Sequence, residues 1–486
     1  MKQKLLLAVM TLLTVATGNI WAENTPYAVL CNDNSMRFLC SSSTLAIGNK
    51  LSEDGPTIIQ VWSGDKVTNS TQTPDWWYNG TERLQITKVV FEKSFADIQV
   101  KSCHNWFYDF KNIARIEGIE NLNTSEVEVM QSMFYGCGSL ESLDLSNFNT
   151  GKVTDMKSMF NGCNSLESII FGADFNTLKV TDGYTLYMFG GCNSLRLLDM
   201  SKCEVANIDF SKIKTELGSY RPLTYVPEGT TGVDENMENV VVGEICKHLV
   251  IDYDGTKNNQ LLLSVPYKFT AEKITINREF VVGNPHTLYL PFTMDADAKT
   301  YGTFYTYGGY DNGTVTFNEL TDATTTVNTP YLFKPKKSGT IVIDGSITVE
   351  PNTTQGEAHI DNETNNETDA DANGRFIGVY KKRTFIKDEA DAGIYYGWAN
   401  GKFWRAGEAA SVDACRAYLK LPERQAGRAP ASLSVKFDGD GTTGIGTAKS
   451  NADGGAEAPM YNLQGQRVGA GYKGLVIKNG RKVIVK

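Results

Sequence analysis

The sequence predicts a mostly β chain with some helix: a solenoid of short stacked coils, then an antiparallel β-sandwich domain, then a small C-terminal β segment. Three observations carry this expectation. One phrase recurs three times between Met133 and Val205. From residue 246 to 437 short apolar runs alternate with Asn, Gly and Asp turns. The last residues return to β-rich alternation after a Gly- and Ala-rich stretch.

The recurring phrase is Met133-Phe134-Tyr135-Gly136-Cys137-Gly138-Ser139-Leu140, then Met159-Phe160-Asn161-Gly162-Cys163-Asn164-Ser165-Leu166, then Met188-Phe189-Gly190-Gly191-Cys192-Asn193-Ser194-Leu195. Its cysteines are 26 and 29 residues apart. A fainter copy runs from Ile119 to Ser132. Leu140, Leu143 and Leu145 fit L-x-x-L-x-L, as do Leu166, Ile169 and Phe171, and Leu195, Leu198 and Met200. Periods of about 20 to 29 residues with this leucine spacing mark a leucine-rich repeat solenoid. One coil cannot bury its apolar edge alone, so stacked coils must put Leu on Leu and Phe134 on Phe160 on Phe189. The ninth motif position holds Phe148, Asp174 and Cys203, so no asparagine ladder is expected. Residues between the leucines face outward on each strand. Among them Glu141, Asp144, Glu167, Arg196 and Asp199 are the candidate binding residues.

The phrase M-F-x-x-C-x-S-L-x-x-L-x-L-S-N-F-N-T-x-x-V-T-D-M-x-x-M-F resembles the BspA-like leucine-rich repeat proteins of Bacteroidota surfaces, whose repeat is shared with mycoplasma lipoproteins. The resemblance implies non-enzymatic adhesion to host or neighbouring-cell proteins, because members of that family bind extracellular matrix components.

Taken in order, residues 1–22 read as a signal peptide. Lys2 and Lys4 precede the apolar run Leu5 to Ala16, and Ile20-Trp21-Ala22 reads as its cleavage site. No later run is long enough for a transmembrane helix. Residues 23–104 read as the N-terminal cap of the solenoid, with strands at Tyr27 to Leu30 and Met36 to Leu39. Trp76-Trp77 belong to that cap or to a sugar platform. Residues 105–215 hold the repeats, closed by Ile208, Phe210 and Ile213. Residues 216–245, rich in Gly, Glu and Asn, read as a linker. Residues 246–437 read as the β-sandwich domain, and residues 438–459 as a flexible spacer. Residues 460–486 carry Lys and Arg without Asp or Glu. This segment looks like the sorting signal of type IX secretion cargo, in a shorter form.

Chemistry is sparse. Net charge is −9, and an acidic chain without a basic cluster argues against nucleic acid and anionic membranes. The four histidines, His104, His248, His286 and His359, sit in no metalloprotease motif, and no nucleophile elbow or phosphate loop occurs. No enzyme activity and no cofactor are expected. Asp369, Asp371 and Asn373 match the first half of a calcium loop, but its twelfth position is Tyr380, so an acidic loop is the better account. The nine cysteines follow export, which permits disulfides. Cys31 and Cys40 are a candidate local bridge, and Cys137, Cys163 and Cys192 a column of buried thiols. The expected partners are extracellular or cell-surface proteins, with glycans as the alternative through Trp76, Trp77, Trp398 or Trp404. A third alternative, a glycoside-active enzyme, rests on Asp252 and Asp254.

Overall fold

The computed structural model describes residues 25–438 except 70–73, 78–81, 182, 218–221, 253–264, 295–299, 322–323, 353–373, 381–382, 414 and 422–429, together with 460–462, 467–468, 474–478 and 481–485. The chain is mostly β, about 40% strand and 10% helix. Two units separate, Met1–Asp440 and Gly441–Lys486.

The first unit begins with β1 (Thr25–Cys31) and β2 (Ser35–Ser41), an antiparallel hairpin turned at Asn32-Asp33-Asn34. It continues with β3 (Ile58–Ser63), β4 (Lys88–Phe91) and β5 (Arg115–Glu117), in sheet order β3-β1-β2-β4-β5. The pairings β2–β4 and β4–β5 are already parallel. The chain therefore enters the repeats in the direction they use. Trp76 is buried here. Its indole N–H donates to the Trp106 carbonyl at 2.9 Å, and its ring meets Trp62 and Trp106 edge-on.

The repeat strands are β6 (Ser142–Leu145), β7 (Ser168–Phe171) and β8 (Leu197–Asp199). They pair in parallel, with Leu143 opposite Ile169 and Ile169 opposite Leu198. The period-2 alternation of β6 buries Leu143 and Leu145 and exposes Ser142 and Asp144. Phe134, Phe160 and Phe189 stack behind, 5.7 and 5.6 Å apart. One apolar core runs from Ala28 through these columns to Val240.

Two further columns fix the coil spacing. The Thr124 hydroxyl donates to the Asn149 carbonyl and accepts the Asn149 N–H. Thr150 does the same with Asn176. Thr177 accepts the Asp209 N–H. This threonine ladder links successive coils at residues 124, 150 and 177. The cysteine thiols form the second column: Cys137, Cys163 and Cys192 donate to the carbonyls of Phe107, Phe134 and Phe160 at 3.2, 3.0 and 3.1 Å. Gly162 eases the stacking, because at φ +78 a Cβ there would lie 3.3 Å from the Gly136 Cα.

Three expectations need correction. Residues 216–245 are not a linker. Glu228, Gly229, Gly232, Glu235, Asn236, Asn239, Gly243 and Glu244 lie in turns of another coil, whose apolar residues form β9 (Leu223–Val226) and β10 (Val240–Val242). β9 pairs in parallel with β8, and β10 with β9. Nor do Ile208, Phe210 and Ile213 close the stack. They are buried, but the ladder passes beyond them through β11 (Ile245–Cys246), β12 (Leu249–Asp252) and β13 (Phe269–Phe280). The order β12-β13-β11-β10-β9-β8-β7-β6 is one continuous sheet. Finally, Cys31 and Cys40 are free. The hairpin register places Cys40 opposite Pro26, several residues along the ladder from Cys31.

The remainder of this unit adds β14 (His286–Tyr289), β15 (Gly302–Asp311), β16 (Thr314–Glu319), β17 (Pro330–Pro335), β18 (Gly339–Val349), β19 (Arg375–Val379), β20 (Arg383–Thr384), β21 (Tyr395–Ala399), β22 (Lys402–Arg405), β23 (Ser411–Val412), β24 (Arg416–Lys420) and β25 (Ser432–Asp438). β18 joins the first sheet antiparallel to β13. A second sheet runs β14-β17-β15-β16-β25-β22-β21-β24-β19. Its Leu288, Phe304 and Phe333 share an apolar core with Leu197, Tyr225 and Ile274 of the first. The second unit is a small antiparallel sheet of Met460–Asn462, Arg467–Val468, Gly474–Lys478 and Arg481–Val485. Residues 1–24, which include the expected signal peptide, lie outside the described residues. No helix among the described residues is long and apolar enough to cross a membrane.

Candidate binding surface

The expected binding residues do not share one environment. On β6 Glu141, Ser142, Asp144 and Ser146 are exposed. The Asp144 carboxylate accepts the Ser146 N–H at 3.0 Å, which sets its direction. One coil on, Glu167 is half-buried and pairs with Arg196 of the following coil at 3.1 Å. Burial pulls the Arg196 guanidinium below its usual value, against the favourable charge of Glu167. These two residues stabilise neighbouring coils through each other and offer a partner little free charge.

Asp199 is a correction. It is 1% exposed and faces no solvent. One carboxylate oxygen accepts the Tyr267 hydroxyl at 2.8 Å; the other accepts the Ser201 N–H and hydroxyl at 2.9 and 2.6 Å. Burial raises the Tyr267 hydroxyl to about 12, and donation to Asp199 adds to this. Tyr225 packs edge-on to Tyr267 at 5.4 Å. The outward-facing Leu197 is likewise buried, in the core shared by the two nine-stranded sheets. Residues later in the chain cover the outer face of β8: Tyr267, just before β13, lies on Asp199, and Leu197 packs in a core with residues of the second sheet. The open strand face is therefore the rim of β6 with part of β7, and its open charges, Glu141 and Asp144, are acidic.

The other candidates separate as well. The Trp77 indole donates to the Tyr108 carbonyl at 3.0 Å, and Arg83 stacks on its ring. The Trp398 indole donates to the Pro285 carbonyl at 2.8 Å. Trp404 presents a 46% exposed side chain. His286 is pushed down to about 3 by burial, with Arg278 and Arg416 nearby. His248 meets the Thr275 hydroxyl at 2.9 Å, and His104 contacts the Asn105 amide. Asp254 and the acidic loop with Asp369, Asp371 and Asn373 lie outside the described residues. Among the described residues no three His, Cys, Asp or Glu side chains gather as a metal site.

Two features were missed at the sequence level. The first repeat, placed within residues 105–215, also carries the opening phrase: Asn105-Trp106-Phe107-Tyr108-Asp109-Phe110 stands one period before Ser132-Met133-Phe134-Tyr135-Gly136-Cys137. Asn105 and Asp109 share the left-handed φ of Ser132 and Gly136. Aromatic spacing was the available signal; the Gly-to-Asp and Cys-to-Phe changes hid it. The other feature is an exposed apolar group on the third repeat, Leu178, Tyr184, Leu186 and Tyr187. Position-by-position alignment of the repeats would have found it.

No curated protein and no solved structure matches the chain. Residues 99–215, which comprise the coils around β6, β7 and β8, match the model of a family described as Mycoplasma protein of unknown function, DUF285.

Proposed function

We propose that this chain is an exported surface protein that binds other proteins without transforming them. In this reading a leucine-rich repeat solenoid of the BspA-like kind runs into a β-sandwich, and the C-terminal segment is a sorting signal similar to that of type IX cargo. The observation that carries the reading is the rim of β6. Glu141, Ser142, Asp144 and Ser146 stand open to solvent while Leu143 and Leu145 beneath them are locked in the stacked core. An acidic rim on a fixed backbone suits cationic side chains of an extracellular partner, and little backbone entropy is lost when such a rim binds. The apolar run at residues 5–16 and the absence of catalytic motifs from the sequence point the same way.

The test is binding of the exported chain to extracellular matrix proteins, comparing wild type with Glu141→Gln/Asp144→Asn. These changes remove charge but keep shape and the turn at Ser146. Affinity about tenfold lower in the double variant is expected; equal affinity removes the rim as the site. Trp404 supports a second reading, glycan binding, because its ring is open enough to stack on a sugar. Loss of glycan-array signal in Trp404→Ala would favour that reading.

A further inference from the structure

In the second sheet, one face of β21, β22 and β25 feeds an apolar core with Tyr396, Phe403 and Leu433. Strand alternation turns Gly397, Lys402, Trp404, Ser432 and Ser434 to the other face. Trp404 is 46% exposed there and joins no apolar core. Its indole N–H donates to the Ala399 carbonyl across the β21–β22 turn at 2.9 Å. That bond fixes the ring, so the open surface is a held aromatic platform.

The residues opposite Trp404 on the two neighbouring strands are small: Gly397 on β21 and Ser432 on β25. Nothing local calls for glycine at 397. Its φ is not left-handed, and a Cβ there would meet nothing within 4 Å. Glycine also weakens a strand interior, and one that neither conformation nor packing requires marks a place of close approach. Its effect here is an open notch beside the Trp404 ring. On the far strand Tyr418 stands opposite Gly397, packed in a core with Phe385 and Val412. The surroundings of the ring are polar. Lys402 and Ser434 are exposed. Lys436 on the same face pairs with Asp438 at 2.7 Å, whereas among the described residues Lys402 has no carboxylate partner.

We propose that Trp404, the Gly397 notch and Lys402 bind a saccharide that carries an anionic group, a carboxylate or a sulfate. This inference rests on the glycan reading of Trp404 and names the class of glycan. The C–H face of a sugar ring lies on the electron-rich face of the indole. A ring substituent enters the notch, sugar hydroxyls bond to Ser432 and Ser434, and the anionic group meets Lys402. A peptide strand cannot be added at this place, because β21 and β22 are each paired on both sides. An apolar anchor from a partner protein would find one ring among Gly, Ser and Lys, not a pocket. The site is independent of the β6 rim.

The experiment probes an array of neutral and acidic oligosaccharides with the full chain. The strongest acidic binder is then titrated beside its neutral counterpart, made by carboxyl reduction or desulfation. The neutral counterpart is expected to bind wild type about two- to fivefold more weakly. Lys402→Gln is expected to show the same loss for the acidic glycan and none for the neutral one. Gly397→Val fills the notch and Trp404→Ala removes the platform, and each is expected to weaken binding at least about tenfold. Thermal unfolding of Gly397→Val is expected no lower than that of wild type, since the added side chain starts in open space. Equal affinity for the acidic and neutral glycans, or wild-type affinity in Lys402→Gln, overturns the anionic assignment while the glycan reading stands. Wild-type affinity in Gly397→Val overturns the notch. A wild-type chain that binds no glycan, or Trp404→Ala that binds as wild type does, overturns the glycan reading and this inference together.

Discussion

At the scale of single residues, the chain reuses a few side chains as spacers between coils. Cys163 is completely buried and donates to the Phe134 carbonyl. Burial pushes its thiol well above the usual value, and Cys192 up to about 12. The unfolded thiols titrate near about 8.5. A raised folded value means the native state holds these protons longer. Their contribution is therefore complete below about pH 8.5 and is lost as pH rises toward the folded values. Urea unfolding at pH 10 should show a loss of about 2 kcal/mol per buried thiol relative to pH 7. Cys163→Ala should show a smaller pH dependence. Asp199 gives a prediction of another kind. Asp199→Ala leaves the Tyr267 and Ser201 hydroxyls without their acceptor and should cost about 1–3 kcal/mol in urea unfolding. Had Asp199 been a free surface residue, the change would be nearly silent.

At the scale of elements, the repeated phrase made β6, β7 and β8 legible from sequence, because leucine spacing and strand alternation are local properties. The threonine ladder was present in the text as Asn123-Thr124, Asn149-Thr150 and Asn176-Thr177. Its role was not legible, since each hydroxyl bonds to a coil about 26 residues away. The segment 216–245 was misread for a related reason. Its composition is that of turns, and turns joining coils look like a linker when the strands between them are four and three residues long. Limited digestion with a glutamate-specific protease separates the two descriptions. Glu228, Glu235, Glu238 and Glu244 would be cut early in a linker. The paired strands β9 and β10 predict that this stretch survives in a fragment spanning β8 to β13 after the chain termini are trimmed.

At the scale of the whole first unit, the coils and the strands that follow are one sheet from β6 to β12. Contacts from far along the chain explain why only part of the expected strand face is open. Tyr267, 68 residues beyond Asp199, covers it, and no local pattern announces a contact of that range. Glu141 and Asp144 stay open because no later strand covers the outer face of β6. The repeats stack in register, and engineered disulfides test this most directly. Asp144 and Ile170 are opposite on neighbouring parallel strands, within the roughly 4.4–6.8 Å Cα separation a disulfide needs. Oxidation of Asp144→Cys/Ile170→Cys should give a cross-linked peptide pair by mass spectrometry, whereas Asp144→Cys/Ser168→Cys, two residues out of register, should not. Efficient bridging of the second pair and none of the first would contradict the stacking on which the rest is built.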